Sequence, residues 1–310
     1  MARKVFKSLE EQVQILKDKG LMITDEEKTK SILFRENYFF LSGYRHLFLE
    51  KNGTRKFKRG ARFEELYSLF LFDRQFRNII FKNVLIIENN YKSITSYILS
   101  KKYGYKEKDY LKASNFTRDR SKTRQVNDLL KKMKRQIRIN GSQHTATAHY
   151  YSQYGYAPLW IVVKVLSFGI MSELFGILKE EEQQDIANVY HLDVETLGIY
   201  FPLLANYRNL CAHEDILFDH FTQRVIPDNA IHRYLNIEKT NGEYIYGKND
   251  IFALIIIMKQ MLTKDEFKLM MNEIIYELEM LSGKLSSISI EDVLNEMGFP
   301  LNYKEIMYYE

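Results

Sequence analysis

A chain of 310 residues that is 45% hydrophobic and 14% aromatic can bury a sizeable core, so disorder is not the default and one large domain or two small ones is expected. A single cysteine excludes an internal disulfide framework and any cysteine-built zinc centre. The net charge is only +5, so a strong attraction to polyanions has to come from local clusters.

The N-terminus, MARKVFKSLE, runs straight into charged sequence without the apolar core of a secretory signal. The longest apolar run, IFALIIIM at 251–258, is too short to span a bilayer, so no membrane association is expected and the expected location is the cytoplasm. Ser8 with Glu11 and Thr24 with Glu27 each spell a capping box, which predicts helices beginning near residues 9 and 25, the first ended by Gly20. From Phe63, apolar residues at 63, 66, 70, 80, 84, 87, 91, 94 and 98 recur at steps of three and four, predicting one long amphipathic helix closed by Gly104. Asp73 and Arg77 fall on that stripe four apart and read as an internal ion pair, and Glu88 lies beside it as a buried carboxylate able to brace an arginine elsewhere.

A helix following Pro158 is expected to carry LWIVVKVLSFGIMSELFGIL. Another should start near Asp193 and run through LGIYFPLLANYRNLCAH, with Pro202 threatening a kink or a late start. The Asn-Gly pair in EKTNGEY predicts a small hairpin. Asp250 and Thr263, the latter boxed with Glu266, cap two more helices, and Ser289 caps a short last one. The expected fold class is all-α, a bundle with an N-terminal helical extension over residues 1–60, a main helical domain over 61–310 packed as one globular unit, and one small β-hairpin.

Charge is concentrated. Between Arg118 and Arg138 there are nine basic and two acidic residues: Arg118, Arg120, Lys122, Arg124, Lys131, Lys132, Lys134, Arg135 and Arg138 against Asp119 and Asp128. A second cluster, KNGTRKFKRGAR at 51–62, holds Arg55, Lys56, Lys58 and Arg59 among six basic residues and no acid. Cations grouped this way can neutralise successive phosphates and gain from counterion release; the plain alternative is a solvated helix face and a mobile loop. Tyrosines between 149 and 156 could stack on unpaired bases, although such clusters more often lie in a core or interface.

The stretch NYRNLCAHED at 206–215 sets Arg208, Asn209 and His213 at the end of an apolar run. On a helix Asn209 and His213 share a face, and Arg208 lies about 140° from His213. From spacing alone the ordinary reading is favoured, in which Arg208 pairs with a carboxylate and His213 caps the last carbonyls. Cys211 is turned away from His213 and reads as a small packing residue. The remaining histidines show no metal-ligand spacing and there is no Gly-rich phosphate loop, so neither a metal nor another cofactor is expected.

RNLCAH nevertheless matches the R-N-x-x-x-H form of the motif of HEPN-superfamily ribonucleases. With FRENYFFLSGYRHLF (34–48), LFDRQFRNIIFKNVLIIENNYKSITSYIL (71–99), YGYAPLWIVVKVLSFG (154–169) and LLANYRNLCAHED (203–215) in order, the chain resembles the AbiD/AbiF (Abi-like) abortive-infection proteins of bacterial phage defence. The resemblance runs from about residue 8 to 220. It implies a HEPN-like helical bundle, often a homodimer, in which two Arg/His motifs meet and cut RNA without metal. It assigns Arg208 and His213 as the catalytic pair with Asn209 beside them, and implies a small structured non-coding RNA as antitoxin; the place of Glu88 on the long-helix stripe separately makes it a candidate brace for Arg208.

The residue types suit that chemistry. An imidazole with an ordinary pKa near 6.5 can exchange a proton with a ribose 2′-hydroxyl at neutral pH, and a guanidinium can hold the phosphoryl oxygens as charge grows. A function of a different class is a non-catalytic RNA-binding module in which the pair only grips phosphate.

Overall fold

The computed structural model describes residues 5–141 and 143–309; residues 1–4 of the expected extension, and 142 and 310 of the expected main domain, lie outside them. Helices dominate, as the patterning requires. The one sheet among the described residues is a pair of two-residue strands, Lys239–Thr240 and Glu243–Tyr244. Asn241 and Gly242, both at positive φ (54° and 87°), form the tight turn between them.

The N-terminal helices are α1 (Leu9–Asp18), α2 (Glu26–Glu36) and α3 (Tyr38–Ser42), followed by a 3₁₀ turn over Gly43–Phe48. Ser8 and Glu11 form the full capping box of α1. The cap of α2 is one residue later than expected. Asp25, not Thr24, accepts the Lys28 N–H at 2.9 Å, because the Thr24 hydroxyl donates instead to Glu64 Oε1 on the next long helix, leaving the adjacent carboxylate to cap.

Helix α4 (Phe63–Tyr103) is about 60 Å long and forms the axis of the molecule. Its stripe is buried at 63, 66, 70, 80, 84, 87 and 91, but Ile94 and Ile98 are only half-buried, and Thr95, Ser96 and Leu99 take their places. A strict three-and-four alternation averages 3.5 residues, whereas the helix turns every 3.6, so the stripe drifts by ~20° per heptad and leaves the core line near the C-terminal end.

Short α5 (Glu107–Tyr110) leads to α6 (Thr123–Asn140) and α7 (Thr145–Tyr154). The single helix expected after Pro158 is instead two pieces, α8 (Leu159–Val162) with a 3₁₀ turn to Val165, and α9 (Phe168–Ile177). Leu166 is extended and Ser167 caps α9 by accepting the Ile170 N–H. Local side-chain capping by serine competes with helix continuation, and the β-branched run before it offers little resistance.

Helices α10 (Glu180–Val189) and α11 (Val194–Ala212) follow. Pro202 neither delays nor ends α11; Tyr200, Phe201, Leu203 and Leu204 are buried around it, and burial of four large side chains outweighs a helical proline's cost of ~3 kcal/mol. Then come α12 (Ala230–Tyr234), α13 (Ile251–Met261, capped by Asp250), α14 (Lys264–Ser282, boxed by Thr263 and Glu266) and α15 (Ile290–Glu296, capped by Ser289). Helices α10, α11, α13 and α14 all pack on α4. Glu65 fastens the tail to its first turn by accepting the backbone N–H groups of Ser286 and Ser287. Buried apolar residues from Val13 to Ile306 form one connected core.

Candidate functional site

Helix α11 ends in a Schellman turn. The Glu214 N–H donates to the Cys211 carbonyl at 3.3 Å and the Asp215 N–H to the Leu210 carbonyl at 3.2 Å, with Glu214 held at φ +57°, a left-handed position usually given to glycine. His213 is the capping residue, its own N–H donating to Asn209 O at 3.0 Å. The inner face of the helix, with Leu210 and Cys211, is buried; Asn209 and His213 are exposed. Burial pushes the Cys211 thiol up to about 12, which removes it as a nucleophile at neutral pH. No partner for the His213 imidazole exists among the described residues, so it is free to meet a ligand.

Arg208 is half-buried between α11 and α4. Its Nε lies 3.6 Å from Glu88 Oε2, and its guanidinium carbon stands 5.6 Å from the centre of the Phe81 ring. The other Glu88 oxygen accepts from Lys92 Nζ at 2.6 Å. Lys92, a buried lysine one turn from Glu88, drew no notice in the sequence because the long helix carries many charged residues. Two cations thus share one carboxylate, leaving a net positive charge in a poorly solvated place. Arg208 Nε and Glu88 Oε2 are both buried and both lack a hydrogen-bond partner. Such a site gains by taking up an anion. Replacing Glu88 with glutamine strips both cations of their counter-charge; a loss of about 2–4 kcal/mol in unfolding free energy is expected, read by urea titration, and unchanged stability would show that the carboxylate braces nothing.

The loop beyond His213 is positioned from α4. Asp73 accepts the Leu217 and Phe218 N–H groups at 3.2 and 2.8 Å and the Tyr44 hydroxyl at 2.6 Å, and it pairs with Arg77. Burial pushes the Asp73 carboxyl up, while Arg77, Tyr44 and the two amides pull it back. The ion pair was legible in the stripe; its grip on residues 217–218 was not.

The basic segments lie elsewhere. Arg118 and Arg120 sit in the loop before α6, and Lys122 donates to Gly176 O at 3.0 Å. On α6, Val126, Leu129, Leu130, Met133 and Ile137 are buried, which turns Arg124, Lys131, Lys132, Lys134, Arg135 and Arg138 to solvent. Lys132 is held by Glu173 at 2.8 Å and Arg124 and Lys131 stand near Asp128. The 51–62 loop exposes Arg55, Lys56 and Arg59, with Lys58 half-buried. It is tied down through buried Phe57, whose N–H donates to Lys19 O at 2.8 Å. This loop enters α4 at its N-terminus, whereas α6 packs on α9, whose Met171 carbonyl accepts from the Tyr91 hydroxyl further along α4.

One His-carboxylate group invisible to spacing comes together from three segments: His46 Nε2 lies 3.3 Å from Glu296 and 3.8 Å from Asp219, with ligand atoms within 4.8 Å of one another. It is partly exposed and self-paired. Among the described residues no helix is long and apolar enough to cross a membrane.

A family model described as Abi-like protein matches residues 31–219, a span that contains α4, the basic face of α6 and the whole of α11. No curated protein and no solved structure matches the chain.

Proposed function

Because the chain belongs to the Abi-like family, whose name points to abortive infection and phage defence, we propose that it is a metal-independent endoribonuclease of the HEPN type that halts the host by cutting RNA. The observation that carries this reading is that the end of α11 holds an exposed histidine and, five residues before it, a partly buried arginine whose surroundings hold one positive charge too many.

In this mechanism Arg208, backed by Glu88 and Lys92, holds the non-bridging oxygens of a phosphodiester. His213 takes the proton of the adjacent ribose 2′-hydroxyl as its oxygen attacks phosphorus, breaking the bond to the 5′-oxygen and leaving a 2′,3′-cyclic phosphate. The leaving oxygen needs a proton. One imidazole cannot be base and acid at once, so the second comes from the same motif of another copy, and the working form is a homodimer. Asn209, one turn before His213 on the exposed face, orients the imidazole or a phosphoryl oxygen. Residues 1–60 serve as an extension to a HEPN-like unit over 61–310, and a small structured non-coding RNA restrains the enzyme between infections.

The test is cleavage of RNA by purified protein with and without EDTA, scoring product ends. Activity that survives EDTA and leaves cyclic-phosphate ends is expected; products with 5′-phosphate ends would sink the mechanism. The exposed face of α6 and the 51–62 loop are assigned to phosphate contacts. Replacing Lys131, Lys132, Lys134 and Arg135 with alanine should weaken RNA binding and reduce the slope of log affinity against log salt by up to about 3. An unchanged slope would retire α6 as an RNA surface.

A further inference from the structure

The tyrosines after His149 take no part in the chemistry above, and the structure sets them in a surface row. Trp160 lies 6.0 Å from Tyr105, Tyr105 5.7 Å from Tyr156, Tyr156 6.4 Å from Tyr154, and Tyr154 5.4 Å from Tyr150. Core tyrosines such as Tyr44 and Tyr91 are fully enclosed, but Tyr154 is 59% exposed, Trp160 45% and Tyr105 43%; Tyr97, beside the row on α4, is 68% exposed. These four rings are in large part exposed to solvent, whereas Tyr156 between them is half-buried.

The polar company of these rings narrows what could cover them. The Lys106 ammonium stands 4.8 Å from the centre of Tyr156 and 5.9 Å from that of Tyr105. A groove of about 460 Å³ runs beside Tyr97, Tyr105 and Trp160, completed by Ser93, Ser96, Ser100 and Lys101, with neither a carboxylate nor an aliphatic side chain in its lining; those come only in an adjoining groove past Tyr97 and Lys101, which adds Ile94, Ile98, Val189, Glu181 and Asp185. Helix α7 separates the row from a second groove of about 920 Å³, where Lys108, Lys134 and Arg138 surround an apolar floor. The one carboxylate there, Glu107, is occupied by the Tyr151 hydroxyl and the Ala157 N–H. A protein partner would call for aliphatic complementarity at the centre of the patch. Flat rings, hydroxyls and lysines that meet no carboxylate among the described residues instead suit a flexible polyanion that carries its own flat rings.

We propose that the Trp160–Tyr105–Tyr156–Tyr154 row is a stacking track for the unpaired bases of a single-stranded RNA segment, with Lys101 and Lys106 at its phosphates. This rests on the RNA reading of the α11 site. Duplex RNA, whose base faces are already covered, gains nothing from the row.

The chain contains one tryptophan, and it stands in the row, so its emission reports occupancy directly. Wild-type protein is titrated with a short fluorescently labelled oligouridylate and with a duplex of the same length, following Trp160 emission and RNA anisotropy together. The single strand should quench Trp160 saturably and the duplex should not; Tyr97→Ala and Tyr105→Ala should each weaken single-strand binding by about five-fold or more. Tyr97 makes no ring contact among the described residues, so its variant keeps the fold. Single-strand binding with unchanged Trp160 emission and equal affinity in both variants would overturn the track while leaving the RNA reading intact. No binding of either RNA by wild type would overturn both. A changed association state of the variants in sedimentation, without a change in RNA affinity, would assign the row to a protein interface and overturn it as well.

Discussion

Replacing His213 with alanine is expected to lower RNA cleavage by about 10²- to 10⁴-fold, the range for a lost general acid–base group, while RNA affinity stays within a few-fold of wild type. Arg208→Ala should cost about 10²- to 10³-fold in turnover, as for other groups that hold developing phosphoryl or oxyanion charge, and should also weaken binding. The two effects differ because the side chains differ in place. His213 is exposed at the helix end and has no partner among the described residues to abandon, so its removal leaves the fold undisturbed. Arg208 touches Glu88 and Phe81, and its loss leaves Lys92 alone on the carboxylate. Arg208→Lys is informative: it keeps the charge but not the planar fork, so partial rescue of binding without rescue of turnover is expected. Single-turnover cleavage of a labelled RNA, with circular dichroism to verify folding, decides the matter. If His213→Ala cuts as fast as wild type, the pair only grips phosphate and the chain is a binding module. Because two copies are needed in the mechanism, a mixture of Arg208→Ala and His213→Ala proteins offers a further check on whether sites are shared.

The second large effect is on stability. Asp73→Ala should lower the unfolding free energy by about 3–5 kcal/mol, because it leaves buried Arg77 without a counter-charge and strands the Tyr44 hydroxyl and two backbone amides. The burial of Asp73 is complete and that of Arg77 nearly so, hence solvent cannot repair the loss. Asp73→Asn keeps the shape and one acceptor and should cost less. Replacing both Asp73 and Arg77 with leucine and methionine removes the ion pair as a unit and should cost less than Asp73→Ala, since no charge is stranded. Urea unfolding of the three proteins gives the ranking. Near-neutrality of Asp73→Ala would mean that the loop after α11 is held by packing alone.

The parts legible in the sequence are those written by local chemistry. Ser8 with Glu11 and Thr263 with Glu266 mark helix starts because both partners lie within one turn, and the Asn-Gly pair closes its hairpin for the same reason. The cap at residue 24 slipped because Glu64, forty residues away, drew off the threonine hydroxyl. Ser167 was hidden inside an apolar run whose length suggested one helix. At the candidate site the α11 residues could be named from their motif. Lys92 sits one turn from Glu88 but off the apolar stripe, so its burial was not marked by periodicity, and the reach of Asp73 to residues 217–218 depends on how the segment after α11 lies against α4, which periodicity does not specify.

The hold of α4 on the loop after His213 also bears on the moment at which the site comes into being during synthesis. Residues 208 and 213 leave the ribosome before Leu217 and Phe218, whose amides must reach Asp73 before the end of α11 is fixed. Helix α14 also packs on α4, and the first turn of α4 is fastened by Ser286 and Ser287, so the helix that carries Glu88, Lys92 and Asp73 lacks its full packing until those residues have emerged. A nascent chain still threaded through the ribosome, surrounded by RNA, therefore presents the motif without the frame that sets it.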